Sequence, residues 1–227
     1  MSTVTASIKP VDFIEYQGLV RILHHCLIRY PEAKLVQELK DCDVAGSWPE
    51  FANRAKNRQG REALANFLQH WSVETDNKQL IELKLDYGQL FFGPGEPKAV
   101  PQGSVYLSES QLLNDRSTVA LMDFYQQHGV NVAVDYPQPL DHIGLFFAVL
   151  DQTFGRLEVE TENQALIRFT QVLLQQHLLP WAERCLALAL EHATTDFYRG
   201  IALLSSDLLT QFEQDFQLVP NQTRLYR

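Results

Sequence analysis

The chain has 227 residues, of which 45% are hydrophobic and 21% are charged, and its formal net charge is −9. This composition is too apolar for a disordered chain, and the length suits one large domain. The acidic surplus disfavours nucleic acid as a partner, because phosphate groups require a basic face. The same surplus would attract a basic peptide. No apolar run reaches the roughly 18 residues of a membrane span, so we expect no membrane insertion.

The three cysteines, Cys26, Cys42 and Cys185, lie far apart along the chain. Their spacing fits neither a zinc site nor a redox pair, so we expect reduced, buried thiols in a reducing compartment. Residues 1–10 lack the apolar segment of a secretory signal and are predicted to be a disordered lead.

Apolar residues recur with helical spacing along almost the whole chain. In the first predicted helix, at about 11–29, Phe13, Tyr16 and Leu19 lie on one face. Further helices are predicted at about 32–40, 47–70, 78–92, 117–128, 141–154, 162–178, 180–193 and 195–216, with a short one opening at Ser108 or Ser110.

One helix start has a recognisable capping sequence. Ser47 is placed to cap a helix, and Pro49 suits its first turn, where the missing N–H costs nothing. Glu50 stands three residues after Ser47 and is placed to reach back to it, as in a capping box. The helix is therefore predicted to begin at Ser47.

These patterns predict an all-α fold, a single globular domain of about nine to ten helices over residues 11–219. The loop that begins at Gly93 is long for a compact helical domain, and such loops are often functional. A second long connection, at 129–140, is predicted to divide the domain softly into two halves. Residues 220–227 are predicted to be a loose tail.

The sequence contains no spacing typical of a metal site, a phosphate loop or an activated nucleophile. His24, His25 and Cys26 are adjacent and so face different ways on a helix. We therefore expect no catalytic residue and no metal ligand.

The segment 137–142, P-Q-P-L-D-H, is the one unusual polar cluster. Asp141 is well placed to cap the helix that follows, with His142 in its first turn. Alternatively, this proline-stiffened corner displays an acid and an imidazole at the mouth of a cleft. The sequence leaves both interpretations open.

Aromatic residues cluster just before the breaker segment 93–97, G-P-G-E-P. Tyr87 and Leu90 are predicted to belong to the core by their helical spacing. Phe91 and Phe92 are adjacent, so at least one should point away from that face. An exposed aromatic side chain beside a loop would suit a peptide groove, although both rings could equally be buried.

Four segments resemble the TorD/DmsD family of redox-enzyme maturation chaperones. Residues 138–142, Q-P-L-D-H, are similar to the family signature E-P-x-D-H, and residues 87–94 resemble its aromatic-x-x-L-F-x-G-P segment. Residues 101–106, P-Q-G-S-V-Y, are similar to its P-W-G-S-V-Y loop, and residues 177–181 match an H-L-L-P-W stretch. The four segments follow the family's order.

This resemblance implies an all-helical cytoplasmic chaperone rather than an enzyme. It would bind the twin-arginine signal peptide and the apo form of a molybdenum reductase catalytic subunit, assist cofactor insertion and delay export. The resemblance also implies weak contact with a guanine nucleotide or with molybdopterin, and a protein that is a monomer or occasionally a domain-swapped dimer. The family's binding residues carry over to Tyr87, Leu90, Phe91, Pro101, Pro139, Asp141 and His142.

Three positions depart from the family pattern. Gln138 replaces the glutamate of the signature, Gln102 stands where the family often has tryptophan, and Gly95 stands where some members have another tryptophan. A groove poorer in tryptophan should grip a peptide differently, so these departures bear on the choice of client reductase.

The combined hypothesis is a single pocket between the corner and the aromatic segment. Asp141 would pair with the peptide's arginines, Leu90 and Phe91 would cover its apolar segment, and His142 would make affinity depend on pH near neutrality. The alternatives are a small helical nucleotide-binding or hydrolytic enzyme that uses Asp141 and His142, and an assembly subunit with a permanent partner.

Overall fold

The computed structural model describes residues 11–51, 54–73, 78–133, 138–219 and 221–227, so the predicted lead 1–10 lies outside it. The described residues form eleven α-helices and two π-helical turns, and they contain no β-strand beyond an isolated bridge. The prediction of an all-α fold is thus confirmed. The helices are α1 Phe13–Leu27, α2 Ala33–Asp41, α3 Val44–Ser47, α4 Ala55–His70, α5 Lys78–Tyr87, α6 Ser104–Leu107, α7 Arg116–Gln127, α8 Ile143–Val159, α9 Gln164–Val172, α10 Leu179–His192 and α11 Asp196–Asp215.

The fold is organised around two closely packed helix pairs, α1 with α8 and α4 with α11. Glycine allows the second pair to approach closely. A Cβ on Gly200 would lie 2.9 Å from the backbone nitrogen of Leu64, and one on Gly60 would lie 2.9 Å from Leu204. The two helices therefore cross almost backbone to backbone, which fixes α11 in the middle of the molecule.

An aromatic cluster joins the two pairs. Tyr16 of α1 packs edge to face on Phe212 of α11, with ring centroids 4.9 Å apart, and lies 5.7 Å from Phe154 of α8. All three rings are buried. Burying each such ring contributes about 1.5–3 kcal/mol, so the cluster anchors α8, whose N-terminus carries the candidate site.

The predicted helix start at Ser47 is wrong. Ser47 is the last residue of α3, whose cap is Asp43, and α4 begins only at Ala55. Trp48 has an extended backbone and a buried side chain, so its burial takes the chain out of the helix. Glu50 does not reach back to Ser47 but pairs with Arg61 of α4.

The short helix predicted at Ser108 or Ser110 is also wrong, because the one-turn helix α6 ends just before them. Their hydroxyl groups bond to each other at 2.8 Å, and the Ser110 hydroxyl donates to the Asp115 carboxylate at 3.1 Å. Asp115 then accepts the backbone N–H of Arg116 at the start of α7. These local polar bonds compete with helix formation.

The cysteines are all free. Cys26 and Cys185 are buried, and burial raises the pKa of each thiol to about 12. Cys42 is exposed, so the prediction that all three are buried is wrong for this residue. None of the described helices is long and apolar enough to cross a membrane.

Candidate peptide-binding site

A six-residue stretch, residues 98–103, connects the two segments that the sequence analysis singles out, and we call it the strap. At one end, the backbone N–H of Lys98 donates to the carbonyl of Gln89 at 3.0 Å. The N–H of Ala99 donates to the carbonyl of Leu90 at 2.8 Å. The strap is therefore fixed by main-chain bonds to the aromatic segment.

The other end of the strap is fixed to the corner. The backbone N–H of Ile143 donates to the carbonyl of Pro101 at 2.7 Å, and the N–H of Gly103 donates to the carbonyl of Asp141 at 3.0 Å. Gln102 and His142 form the isolated antiparallel bridge. The corner and the aromatic segment are thus held at the two ends of one short piece of chain.

Asp141 does not cap the helix that follows it, contrary to one prediction. Its carboxylate oxygen Oδ2 accepts the backbone N–H of Ser104 at 2.6 Å, at the start of α6. Its side chain is buried, with 3% of its surface exposed. Asp141 therefore holds the strap and α6 in place rather than α8.

His142 takes the capping role instead and is not in the first turn of α8. Its Nδ1 accepts the backbone N–H of Gly144 at 3.0 Å. Burial, and secondly the nearby His24, lower the pKa of His142 to about 3. The predicted pH dependence near neutrality is therefore wrong for this residue, because the ring stays neutral there.

The second carboxylate oxygen of Asp141, Oδ1, is buried and has no hydrogen-bond partner among the described residues. Asp141 lines a cavity of about 260 Å³ together with Ser117, whose hydroxyl oxygen is also buried and unpartnered within the described part of the chain. We call this the Asp141 cavity. A buried carboxylate oxygen without a donor is costly unless a ligand or water supplies one.

Trp181 and His177 of the H-L-L-P-W stretch also line the Asp141 cavity. A Cβ on Gly103 would lie 2.6 Å from the indole of Trp181, so only glycine lets the strap lie flat on that ring. Sequence reasoning did not assign these two side chains to the site. The H-L-L-P-W motif at 177–181 contains both residues and could have indicated that they belong to the site.

The aromatic segment is a π-helical turn, Gly88–Phe92, that extends α5. Tyr87, Leu90 and Phe91 are buried, whereas Phe92 is 63% exposed. The prediction that one of the adjacent phenylalanines points away from the core is therefore confirmed, and the exposed one is Phe92. The turn ends at Gly93, whose φ of 115° lies in the region that glycine tolerates.

A second cavity, of about 740 Å³, lies beside this turn, and we call it the bend cavity. Its apolar lining includes Tyr30, Ile81 and Leu85, and the two aliphatic side chains are more than half exposed. Lys84 and Glu96 also line it. The bend cavity and the Asp141 cavity share no lining residue, so the predicted single pocket is two cavities at opposite ends of the strap.

The remaining predicted positions are two prolines, one of which, Pro101, lies within the strap. Pro101 is buried and Pro139 is half-buried. Gly95 has a φ of 89°, a conformation that strains any other residue. A tryptophan at this position, as in some family members, would require a different path for the loop.

Among the described residues, no group of three or more histidine, cysteine, aspartate or glutamate side chains is placed to hold a metal ion.

Comparison with known proteins identifies the family. The family described as nitrate reductase delta subunit matches residues 52–187. A probable Tat proofreading chaperone DmsD from Haemophilus influenzae is 32% identical over 174 residues, which cover 71% of this chain and 81% of that protein. The chain belongs to the TorD/DmsD family.

Other members of the TorD/DmsD family match over similar lengths. The Tat proofreading chaperone DmsD of Salmonella typhimurium is 29% identical over 80% of this chain and 78% of its own length. The chaperone protein TorD of Aliivibrio salmonicida is 27% identical over 65% of this chain and 68% of its own length. These relatives are named as chaperones, which supports the prediction that this chain is a chaperone rather than an enzyme.

Proposed function

We propose that this protein is a cytoplasmic chaperone that binds the twin-arginine signal peptide of a molybdenum reductase precursor. It would hold the apo form of the dimethyl sulfoxide or trimethylamine N-oxide type of reductase while the cofactor is inserted and so delay export. The observation that carries the proposal is the buried oxygen Oδ1 of Asp141, which has no partner among the described residues and belongs to a side chain that lines a cavity. Membership of a family whose relatives are named Tat proofreading chaperones supports it.

An arginine side chain suits the Asp141 cavity. The carboxylate keeps Oδ2 on the backbone of Ser104 and offers Oδ1 to a guanidinium N–H. The unpartnered hydroxyl of Ser117 adds an acceptor. The aromatic wall of Trp181 offers a face on which a planar cation can stack. Lysine would match this arrangement less well, because it lacks the planar fork.

The apolar part of the peptide would lie at the other end of the strap. Three of the predicted binding residues, Tyr87, Leu90 and Phe91, are buried. They would therefore support the peptide-binding surface from beneath and would not touch the peptide. Phe92 presents the exposed ring there, and Ile81 and Leu85 continue the apolar surface along α5. Covering two or three such side chains contributes several kcal/mol before ordering costs, which is consistent with roughly micromolar binding.

The strap sets the distance between the two contacts. From Lys98 to Gly103 the chain can span at most about 18 Å. A signal peptide that places an arginine in the Asp141 cavity would therefore reach the bend cavity with about five or six extended residues. The two-cavity arrangement thus suits a ligand with a basic end and an apolar segment close behind it.

The rival enzyme hypothesis finds little support in the geometry. A general base must have a free nitrogen and a pKa near the working pH. The Nδ1 atom of His142 is occupied by the N–H of Gly144, and the pKa of the ring is about 3. The proposed monomeric state, and weak contact with guanine nucleotide or molybdopterin, stay predictions.

Calorimetric titration with a synthetic twin-arginine signal peptide tests the proposal. Asp141→Asn retains an oxygen for the N–H of Ser104 but removes the charge, and it should weaken binding roughly 10- to 100-fold. Glu158→Gln is the matched control, since it removes the same charge from an exposed residue at the far end of α8. Replacing both peptide arginines by alanine should weaken binding to a similar degree.

The proposal predicts that these two losses are not additive, because they remove the two partners of one contact. Equal binding by the wild-type protein, Asp141→Asn and Glu158→Gln would exclude Asp141 as the arginine site. Absence of measurable binding to the wild-type protein would exclude signal-peptide recognition altogether.

A further inference from the structure

Residues 221–227 reach from one cavity to the other. Asn221 lines the Asp141 cavity. At the other end, the guanidinium group of Arg227 pairs with the carboxylate of Glu96 at 2.5 Å and donates to the carbonyl of Pro97 at 2.5 Å. Glu96 lines the bend cavity. This segment, which we call the tail, therefore spans the same distance that a bound signal peptide would have to span.

Hydrogen bonds to main-chain atoms of Tyr226 and Arg227 hold the end of the tail, although the tail has no regular secondary structure. The backbone N–H of Tyr226 donates to the carbonyl of Tyr106 at 3.0 Å. The side chain of Gln111 donates to the carbonyl of Tyr226 at 2.8 Å, and Arg184 donates to the carbonyl of Arg227 at 3.0 Å. The end of the tail is thus docked against α6, α10 and the segment between α6 and α7.

The contacts of Arg227 define a binding site for a guanidinium group. Its side chain is only 18% exposed, although its partner Glu96 is 75% exposed. One carboxylate and one carbonyl oxygen accept from two different guanidinium nitrogens, so the pair of acceptors matches the arginine fork.

We propose that Glu96 and the carbonyl of Pro97 form a subsite that Arg227 occupies in the free protein, so that the tail covers the path between the two cavities and acts as an internal competitor of the signal peptide. This inference rests on the proposed function. The individual contacts are weak, because an ion pair with an exposed carboxylate contributes little. They nevertheless compete effectively, since a tethered segment acts at a high effective concentration. A peptide gains access only in the fraction of molecules whose tail has left, which lowers its apparent affinity.

The test compares two arginine substitutions in the full chain, using a fluorescent synthetic twin-arginine signal peptide and anisotropy. Arg227→Ala should tighten binding about fivefold, because it loosens the tail from the subsite. Arg224→Ala is the matched control. It removes the same charge from the same segment, but the contact of Arg224 within the described structure is with the ring of its neighbour Tyr226, and its affinity should equal that of the wild-type protein.

Hydrogen exchange provides a second readout on the same samples. The amide of Tyr226 should be protected in the free protein and lose its protection when the peptide binds. Peptide binding to the wild-type protein with no gain in Arg227→Ala, or with Tyr226 still protected in the complex, would overturn this inference and leave the proposed function standing. If the peptide binds neither the wild-type protein nor the variant, both fail.

Discussion

Two buried aspartates, Asp86 and Asp141, hold comparable junctions in this protein but are satisfied to different degrees. The oxygens of Asp86 accept the backbone N–H groups of Thr194 and Thr195 at 3.0 and 2.8 Å, and the Thr195 hydroxyl at 2.6 Å. Asp141 accepts one N–H group on Oδ2, while its Oδ1 has no partner among the described residues. The two side chains are 1% and 3% exposed.

This difference separates an architectural carboxylate from one that is available to a ligand. Both oxygens of Asp86 are used within the chain, so its role is to join α5 to the start of α11. Asp141 fixes the strap with one oxygen, and its other oxygen has no partner within the described part of the chain. Proteins rarely leave a buried polar atom unpaired, and the exceptions concentrate at functional sites.

The largest effect is expected at the architectural aspartate. Asp86→Ala would strand two backbone N–H groups and a hydroxyl at the start of α11, so we expect the free energy of unfolding to fall by about 3–5 kcal/mol. Denaturant unfolding followed by circular dichroism measures this change. A loss below about 1 kcal/mol would show that the Asp86 junction is not a major source of stability.

His142, which follows Asp141 in the chain, should make the free energy of unfolding depend on pH. The pKa of His142 is about 3 in the folded protein, below the usual value of 6.5, so the unfolded chain takes up the proton first as the pH falls. The neutral His142 therefore contributes its full stabilisation above pH 6.5. This stabilisation is lost as the pH falls toward 3, and the free energy of unfolding decreases by at most about 1.4 kcal/mol per pH unit.

The variant His142→Asn isolates this contribution, because asparagine can still cap α8. Its unfolding free energy should depend less on pH between 6.5 and 3 than that of the wild-type protein. His70→Asn makes the same substitution at an exposed histidine on α4 and is the matched control. Parallel pH curves for the wild-type protein and His142→Asn would contradict the assignment.

The smallest effect on stability is expected at Asp141 itself. Asp141→Asn keeps an acceptor for the N–H of Ser104, and it loses only a charge whose second oxygen had no partner in the described structure. We expect a change in unfolding free energy of less than about 1 kcal/mol, measured by the same denaturant titration. A loss as large as that of Asp86→Ala would show that the two aspartates have the same architectural role.

Helical periodicity predicted most of the fold, because burial of one face decides where a helix forms. The last helix was predicted at 195–216 and is found at Asp196–Asp215. The failures occurred where a local pattern competed with tertiary burial. Ser47 and Pro49 resemble a helix start, but Trp48 between them has an extended backbone and a buried side chain. The burial of this ring depends on tertiary packing, which the local sequence does not reveal.

The site was predicted less completely, for two physical reasons. Asp141 and His142 are both able to cap a helix, and only the bonds from the strap to Asp141 leave the capping role to His142. The spacing of Tyr87, Leu90 and Phe91 places them on one face, so the residues chosen for peptide contact are the buried ones. The tail was predicted to be loose, but its end is held by contacts that no sequence motif records, with Glu96, Pro97, Tyr106, Gln111 and Arg184.

The strap joins its two neighbours through peptide groups, as its bonds from Ala99 to Leu90 and from Gly103 to Asp141 illustrate. Because these bonds use main-chain atoms, residues of the strap can be substituted without breaking them, provided that residue 103 remains glycine. Gln102 and Gln138, both half-buried, can therefore differ from their counterparts in relatives without disturbing the architecture. In the proposed function, family members with the same fold would therefore differ in the reductase that they bind through substitutions at a few positions near the strap.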